Sequence, residues 1–297
     1  MAKGVLLGML AETPLHPGAG QSAGVVDLPV AREGATGLPH IPETGLKGAL
    51  KQWARECGAA LDIDRLFGKT DAGEEQSPSG TGDERVGAGE LVISTARLLC
   101  LPVRRLDGPY AWATCPYLLE RLERDSTRVG HPLHPPKLAP KDSEQEAELL
   151  VADGSTATIF LEEYCFTPKP VTDTTAIANS VGKLIDEAEL SGRLCRQIAV
   201  MSDKEFSWFA EHGLPVDARN QLDDSKISRN LWYEETIPPD ALFYALILPR
   251  SPGPGRDGKA NQRWNQFIGA LKQATYVQVG GNETVGHGWV RLALLEA

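Results

Sequence analysis

Hydrophobic positions along the chain fall into short apolar runs and two amphipathic stretches. Val5 to Ala11 is apolar throughout apart from Gly8, the length and composition of a buried strand. The longest apolar run, Ala241-Leu-Phe-Tyr-Ala-Leu-Ile-Leu248, reads the same way. Over 44–57 the period changes, and Leu46, Ala49, Leu50, Trp53, Ala54 and Cys57 share one face of a helix. Thr44 stands where a side chain would cap its first turn, and Gly58 where it would stop. Trp264, Phe267, Ile268 and Leu271 form a second such face within 262–274. Further strands are expected over 90–103, 157–166, 276–279 and 289–295, and helices over 115–124 and 181–194. The stretch 196–223 mixes short strand-like runs with polar turns. This alternation predicts an α+β sandwich of ferredoxin or RRM type, with the first strand and the 240–248 run at its centre.

Loops punctuate that pattern. Residues 13–42 form a Gly- and Pro-rich connection of about 30 residues, a length that marks a functional loop. Residues 70–89 are rich in Gly, Ser and acids and poor in apolar side chains, which predicts a mobile insertion. Residues 131–141 are Pro-rich. His131-Pro-Leu-His134 there has a metal-ligand spacing, but its prolines deny the helix that would aim both rings at one ion.

Composition narrows the class. With 41% hydrophobic and 24% charged residues in 297, a packed core is expected. No apolar run approaches the roughly 18 residues of a membrane span. Lys3, a short apolar run and then Glu12 read as a first strand rather than a signal peptide. The five cysteines, Cys57, Cys100, Cys115, Cys165 and Cys195, are odd in number and lack CxxC spacing, which points to small buried side chains in a reducing cytoplasm. A net charge of −10 speaks against nucleic-acid binding by the whole surface, so phosphate contacts would need a local basic face. Lys47/Lys51/Arg55, Arg104/Arg105, Arg121/Arg124 and Arg250/Arg256/Lys259/Arg263 are the candidates.

Three loops carry possible chemistry. Gly18-Ala-Gly-Gln-Ser-Ala-Gly24 follows a strand, but Pro29 disfavours the helix that a dinucleotide fingerprint requires. Gly280-Gly-Asn-Glu-Thr-Val-Gly-His-Gly288 can turn tightly and expose N–H groups to phosphate, though no Gly-Lys-Ser/Thr closes it as in a P-loop. Asp27 is either a turn residue or a carboxylate that holds a divalent ion or aligns a ribose hydroxyl. His16 and His40, in the same loop, are acid–base candidates, and Tyr233-Glu-Glu235 places two acids before a Pro-Pro pair.

Taken in order, these segments resemble the RAMP superfamily. Ile41-Pro-Glu-Thr-Gly-Leu-Lys-Gly-Ala-Leu50 is similar to its helix signature, and the Gly280–Gly288 loop to its C-terminal glycine-rich loop. Thr13-Pro-Leu-His-Pro-Gly-Ala-Gly20 with the Asp27 loop resembles a backbone subunit. Val200-Met-Ser-Asp-Lys-Glu-Phe206, Val216-Asp-Ala-Arg219 and Leu231-Trp-Tyr-Glu-Glu-Thr-Ile-Pro-Pro-Asp240 resemble the Cmr backbone subunit of type III-B CRISPR–Cas complexes. The resemblance implies one domain over 1–297, a palm with finger and thumb insertions. Within it, 13–42 would be the catalytic loop, 65–89 a mobile insertion, 167–236 a thumb-like insertion bearing the protruding 206–223, and 240–297 the rest of the palm. It also implies copies stacked head to tail on guide RNA, with other Cmr-type subunits and no membrane, and a thumb hairpin wedged into the guide–target duplex. Target single-stranded RNA would be cut in a reaction dependent on Mg²⁺ or Mn²⁺. Asp27 would be the catalytic and metal-holding acid, helped by His16, Tyr233, Glu234 and Glu235. RNA would be held by Thr44, Gly45, Lys47, Lys51, Arg219, Gly280, Gly281, Asn282 and Gly286, with the free N–H groups of Gly45, Leu46 and Lys47 facing phosphate. A non-catalytic structural RAMP subunit and a guide-processing RAMP nuclease are the alternatives.

Overall fold

The computed structural model describes residues 4–20, 24–68, 88–141, 147–152, 154, 157–250 and 258–296. Most of the expected mobile insertion, Arg256 and the 251–255 turn lie outside these residues.

The first strand, β1 (Val5–Ala11), is buried at all seven positions. One face is closed so tightly that a Cβ at Gly8 would stand 2.1 Å from the Leu184 carbonyl oxygen. Leu7 and Met9 point the other way by strand alternation and are equally enclosed. After the long loop come β2 (His40–Ile41) and α1 (Glu43–Glu56), which buries Leu46, Leu50 and Ala54. Pro42, not Thr44, occupies the N-cap of α1, so Thr44 lies inside the first turn. Asp62 caps the short α2 (Ile63–Phe67) by accepting from the Arg65 N–H.

The run expected over 90–103 breaks at Ser94–Thr95 into β3 (Leu91–Ile93) and β4 (Ala96–Arg104). Next are β5 (Tyr110–Thr114) and α3 (Pro116–Arg128), the latter opened by a proline suited to a first helical position. Then come β6 (Glu148–Val151), β7 (Ile159–Leu161) and β8 (Tyr164–Pro170). The last two replace one expected strand, because Glu162 adopts φ 49° and folds the segment into a hairpin. The single helix expected over 181–194 is instead the end of α4 (Asp173–Gly182) and most of α5 (Ala188–Gln197).

The largest correction concerns 196–223. After β9 (Ile198–Val200), residues read as strand-like turns form α6 (Asp203–His212). Ser202 Oγ accepts from the Glu205 N–H and the Glu205 carboxylate accepts from the Ser202 N–H, a reciprocal cap written in the sequence as Ser-x-x-Glu. Phe206 and Phe209 are buried, and Trp208 and Phe209 pack against Tyr164. Phe206, Phe209 and Ala210 therefore belong to the core, and α6 packs on the body by that face. Only β10 (Val216–Leu222) and β11 (Ser228–Glu235) form a separate two-stranded sheet.

The chain then returns to the palm through β12 (Leu242–Pro249), α7 (Ala260–Leu271), β13 (Tyr276–Gln278), a 3₁₀ turn at Glu283–Val285 and β14 (Trp289–Leu295). Phe267 of α7 meets Trp53 and Phe67 edge-on, tying α7 to α1 and α2. The main sheet runs β13-β14-β1-β12-β4-β5-β9-β6-β8-β7, with β2 added on β4 and β3 on β12. β1 lies antiparallel between β12 and β14, so the first strand and the 242–249 strand are central, as expected of the α+β palm.

Candidate active site

The described residues of the 13–42 loop, 13–20 and 24–42, fold back on one another and onto β11. Leu15 bridges Ile237, Gly18 bridges Val30, and the His40 N–H donates to the Ala31 carbonyl. Leu28 runs parallel to Glu234: its N–H donates to the Tyr233 carbonyl at 3.1 Å, and the Glu235 N–H donates back to its carbonyl at 3.0 Å. This pairing sets Asp27 beside the strand. Its exposed carboxylate accepts from the Tyr233 N–H through Oδ2 at 2.8 Å. The Tyr233 side chain itself is exposed.

His16 and the two glutamates are placed differently. His16 is only 9% exposed, and its Nδ1 lies 2.8 Å from the Glu235 carbonyl oxygen. A carbonyl only accepts, so Nδ1 carries the proton. Glu235 uses Oε2 to accept from the Val30 N–H at 3.0 Å and Oε1 to accept from Arg32 at 2.6 Å. Arg32 also donates to the carbonyls of Ala210 and Gly37, so Glu235 clamps the loop to the body. Glu234, 2% exposed, is ringed by donors. The Asn282 amide donates to its Oε1, His16 Nδ1 lies 3.6 Å from that oxygen, and Arg219 Nε lies 3.6 Å from Oε2. Arg219 reaches on to His287 Nε2 at 3.3 Å; a guanidinium only donates, so that ring nitrogen accepts.

The glycine-rich loop is seated on the same N-terminal segment. Gly281 N–H donates to the His16 carbonyl at 3.0 Å and Gly288 N–H to the Pro14 carbonyl at 2.9 Å. Gly280 (φ 89°) approaches so closely that a Cβ would lie 2.7 Å from the His16 carbonyl oxygen. Residues 16, 27, 219, 233–235 and 280–282 thus form one connected assembly around β11. Arg32 and His287 belong to it and were not singled out from sequence. His287 lay inside the quoted loop motif, whereas nothing local marks Arg32.

The α1 side of the assembly departs from expectation. A groove of about 700 Å³ runs between α1 and the β13–β14 end, lined by Thr44, Gly45, Gly48, Trp53, Tyr276 and Gly280 among others. Lys47 and Lys51 do not line it, and Lys51 Nζ donates to the Gly68 carbonyl at 2.8 Å. The Leu46 N–H donates to the Pro42 carbonyl and is not free for phosphate. Glu43 sits at the helix start, where its own backbone N–H and the Thr95 hydroxyl hold its carboxyl below the usual range. Other basic candidates are also engaged: Arg121 with Glu33, Arg263 with Glu90, Arg104 with Glu162 and Arg105 with Asp107. Among the described residues, no group of three or more His, Cys, Asp or Glu side chains could hold a metal ion by itself. His134 of the HxxH pair contacts Glu123 at 2.9 Å.

Comparison with known proteins gives concordant matches. Residues 9–291 match the RAMP superfamily. The chain is 33% identical over 306 residues to the CRISPR system Cmr endoribonuclease Cmr4 of Pyrococcus furiosus, spanning 99% of this chain and 96% of that protein. The crystal structure of oligomeric Cmr4 from Pyrococcus furiosus matches with a TM-score of 0.74 at 26% identity, over 100% of this chain and 99% of that one. A chain in the cryo-EM structure of the type III-B Cmr-beta bound to cognate target RNA shares the fold, with a TM-score of 0.69 at 20% identity over 99% and 98% of the two chains.

Proposed function

Because the chain belongs to the RAMP superfamily, in its Cmr4 group, we propose that it is the backbone subunit of a type III-B CRISPR complex, binding guide RNA and cutting the target RNA paired to it. The observation that carries this reading is Asp27: an exposed carboxylate held at a fixed place by a backbone N–H, on a loop ordered against β11. Cleavage of RNA by the neighbouring 2′-hydroxyl forms a bond from that oxygen to phosphorus and expels the 5′-oxygen, leaving a 2′,3′-cyclic phosphate. Such a reaction needs in-line alignment, removal of one proton and compensation of charge, and a sparse site can supply these.

The residues divide by role. Asp27 faces the RNA as the acid that orients the hydroxyl or takes its proton, and the Tyr233 side chain is exposed on the adjoining strand. His16, Glu234 and Glu235 are buried and committed to partners, which makes them positioning residues. Asp27 also fits a divalent ion such as Mg²⁺ or Mn²⁺, which binds through one or two carboxylates and completes its shell with water and substrate phosphates. When bound, that ion supplies charge neutralisation at the scissile phosphate. The groove beside Gly45 and Gly280 offers backbone N–H groups to the guide's phosphates, contacts that carry no base information. Sequence specificity is then left to base pairing. Further copies of the chain extend the same surface along the guide, joined by other Cmr-type subunits. No helix among the described residues is long and apolar enough to cross a membrane, and the free cysteines suit the cytoplasm.

The test is single-turnover cleavage of guide-paired RNA by the reconstituted complex with Mg²⁺. Asp27→Asn keeps the size and the Tyr233 hydrogen bond while removing the charge. It is expected to slow cutting about a hundredfold or more, the equivalent of roughly 3 kcal/mol of transition-state stabilisation. Guide binding and assembly should persist, and wild-type products should end in a cyclic phosphate. Wild-type cutting by Asp27→Asn would leave Asp27 a turn residue and the subunit a non-catalytic scaffold.

A further inference from the structure

We infer that Asn282 is a positioning residue for RNA cleavage, latching the glycine-rich loop to β11 through Glu234 and so fixing the strand that holds Asp27. The inference rests on the cleavage role proposed above for Asp27. Three consecutive residues of β11 hold the 13–42 loop and the glycine-rich loop. Tyr233 donates its N–H to the Asp27 carboxylate and accepts from the Leu28 N–H on its carbonyl. Glu234 takes the Asn282 amide on Oε1 and faces Arg219 on Oε2. Glu235 accepts from His16 on its carbonyl and from the Val30 N–H and Arg32 on its carboxylate. A shift of residue 234 therefore moves the N–H on which Asp27 hangs.

Asn282 is built for this contact. It adopts the left-handed φ of 63°, where the 3₁₀ turn starts, and is held by neighbours bonded to the N-terminal loop. Asparagine tolerates that conformation better than most residues and brings a neutral donor. Glu234 is nearly sealed from water, and a carboxylate so placed requires donors. Its nearest cation, Arg219 Nε, stands 3.6 Å away, so the amide supplies the direct hydrogen bond on Oε1. The loop proposed to lie along the guide is thus joined to the strand that holds the catalytic acid by one side-chain pair. A misplacement of about 1 Å at a reacting group can slow a reaction about a hundredfold.

The experiment exchanges donor and acceptor. Asn282→Asp is isosteric but sets two carboxylates against each other; in complexes already saturated with guide it is expected to slow single-turnover cutting at least about tenfold. Adding Glu234→Gln returns one donor and one acceptor to the pair and restores the site's net charge, so the double variant N282D/E234Q should recover most of the rate. An asparagine needed only for its left-handed backbone would not be rescued in this way, and a Glu234 that itself reacts would leave the double variant inactive. Asn282→Ala, which removes the donor without adding charge, covers the case in which Asn282→Asp fails to assemble. It should slow cutting by a smaller factor, without rescue by Glu234→Gln. Wild-type rates in both Asn282 variants, or a double variant no faster than Asn282→Asp, would overturn the inference. Asp27→Asn in the same assay separates the two levels, because its full activity would refute the role of Asp27 itself whatever the Asn282 variants do.

Discussion

Replacing Gly280 with Ala probes how the glycine-rich loop is seated, and the structure sets the size of the effect. Two penalties coincide at this position. The backbone has φ 89°, a conformation that costs a residue with a side chain about 1–2 kcal/mol. The new Cβ would also lie 2.7 Å from the His16 carbonyl oxygen and 3.1 Å from its carbon, both backbone atoms. That oxygen already accepts from the Gly281 N–H at 3.0 Å, so moving aside weakens a bond the loop needs. Overpacking of this kind adds about 1–3 kcal/mol, for a total of about 2–5 kcal/mol. Gly286 is the control: its φ of 84° is nearly the same, but a Cβ there meets nothing within 4 Å. Gly286→Ala therefore bears the backbone term alone, about 1 kcal/mol once the loss of unfolded-state freedom is counted. Urea unfolding of the wild type and both variants at one protein concentration gives the comparison, since self-association would shift the midpoints. Gly280→Ala should fall well below Gly286→Ala, and by about 2–4 °C per kcal/mol in a matching thermal melt. Equal stabilities for the two variants would refute the close approach at His16.

Two further outcomes follow from burial. Cys100 lies in the core, where desolvation pushes its thiol up to about 12 against a smaller opposing effect of the Thr114 hydroxyl, while Cys57 and Cys165 are exposed; native thiol labelling near pH 8 should mark Cys57 and Cys165 and spare Cys100, and mass spectrometry showing label on Cys100 in the folded protein would contradict this. Burial holds His40 below its ordinary value, with Glu33 and Glu43 offsetting only part of the effect, so the folded state binds fewer protons than the unfolded state. The stability it contributes is full above the unfolded pKa of about 6.5 and is lost as pH falls below it, so His40→Gln should flatten the decline in urea midpoint from pH 7.5 to pH 5.5.

The sheet's centre was legible because its strands are apolar on both faces, a pattern that needs no partner to be read. Val5–Ala11 and the 242–249 strand are of this kind. α6 was missed because Phe206, Trp208 and Phe209 sit among polar residues whose spacing fits a strand as well as a helix. Its capping box was the local signal that separates the two. The site divides along the same line. Asp27 and the Gly280–Gly288 loop stand out as polar or glycine residues in unusual company. Their relation does not, because Glu234 meets Asn282, and Arg32 meets Glu235, only after the chain has folded over long separations. The surroundings of the basic stripe on α1 were illegible for a related reason. Periodicity places Lys51 on a face of the helix, but the carbonyl that captures it belongs to Gly68, beyond α2.

The position of β1 has a consequence for how the protein is made. Leu6 pairs with Leu246 on one side and Leu295 on the other, so the first strand has no sheet partner until the last part of the chain exists. At ribosomal speeds of roughly 5–20 residues per second, a separation of roughly 240 residues leaves it waiting for roughly 10–50 seconds. During that interval a seven-residue segment destined for complete burial is a ready template for foreign strands. Closing the palm thus waits on the synthesis of β12 and β14, and a nascent-chain chaperone that shields Val5–Ala11 would be expected to raise the yield of folded subunit more than it alters the stability of the finished one.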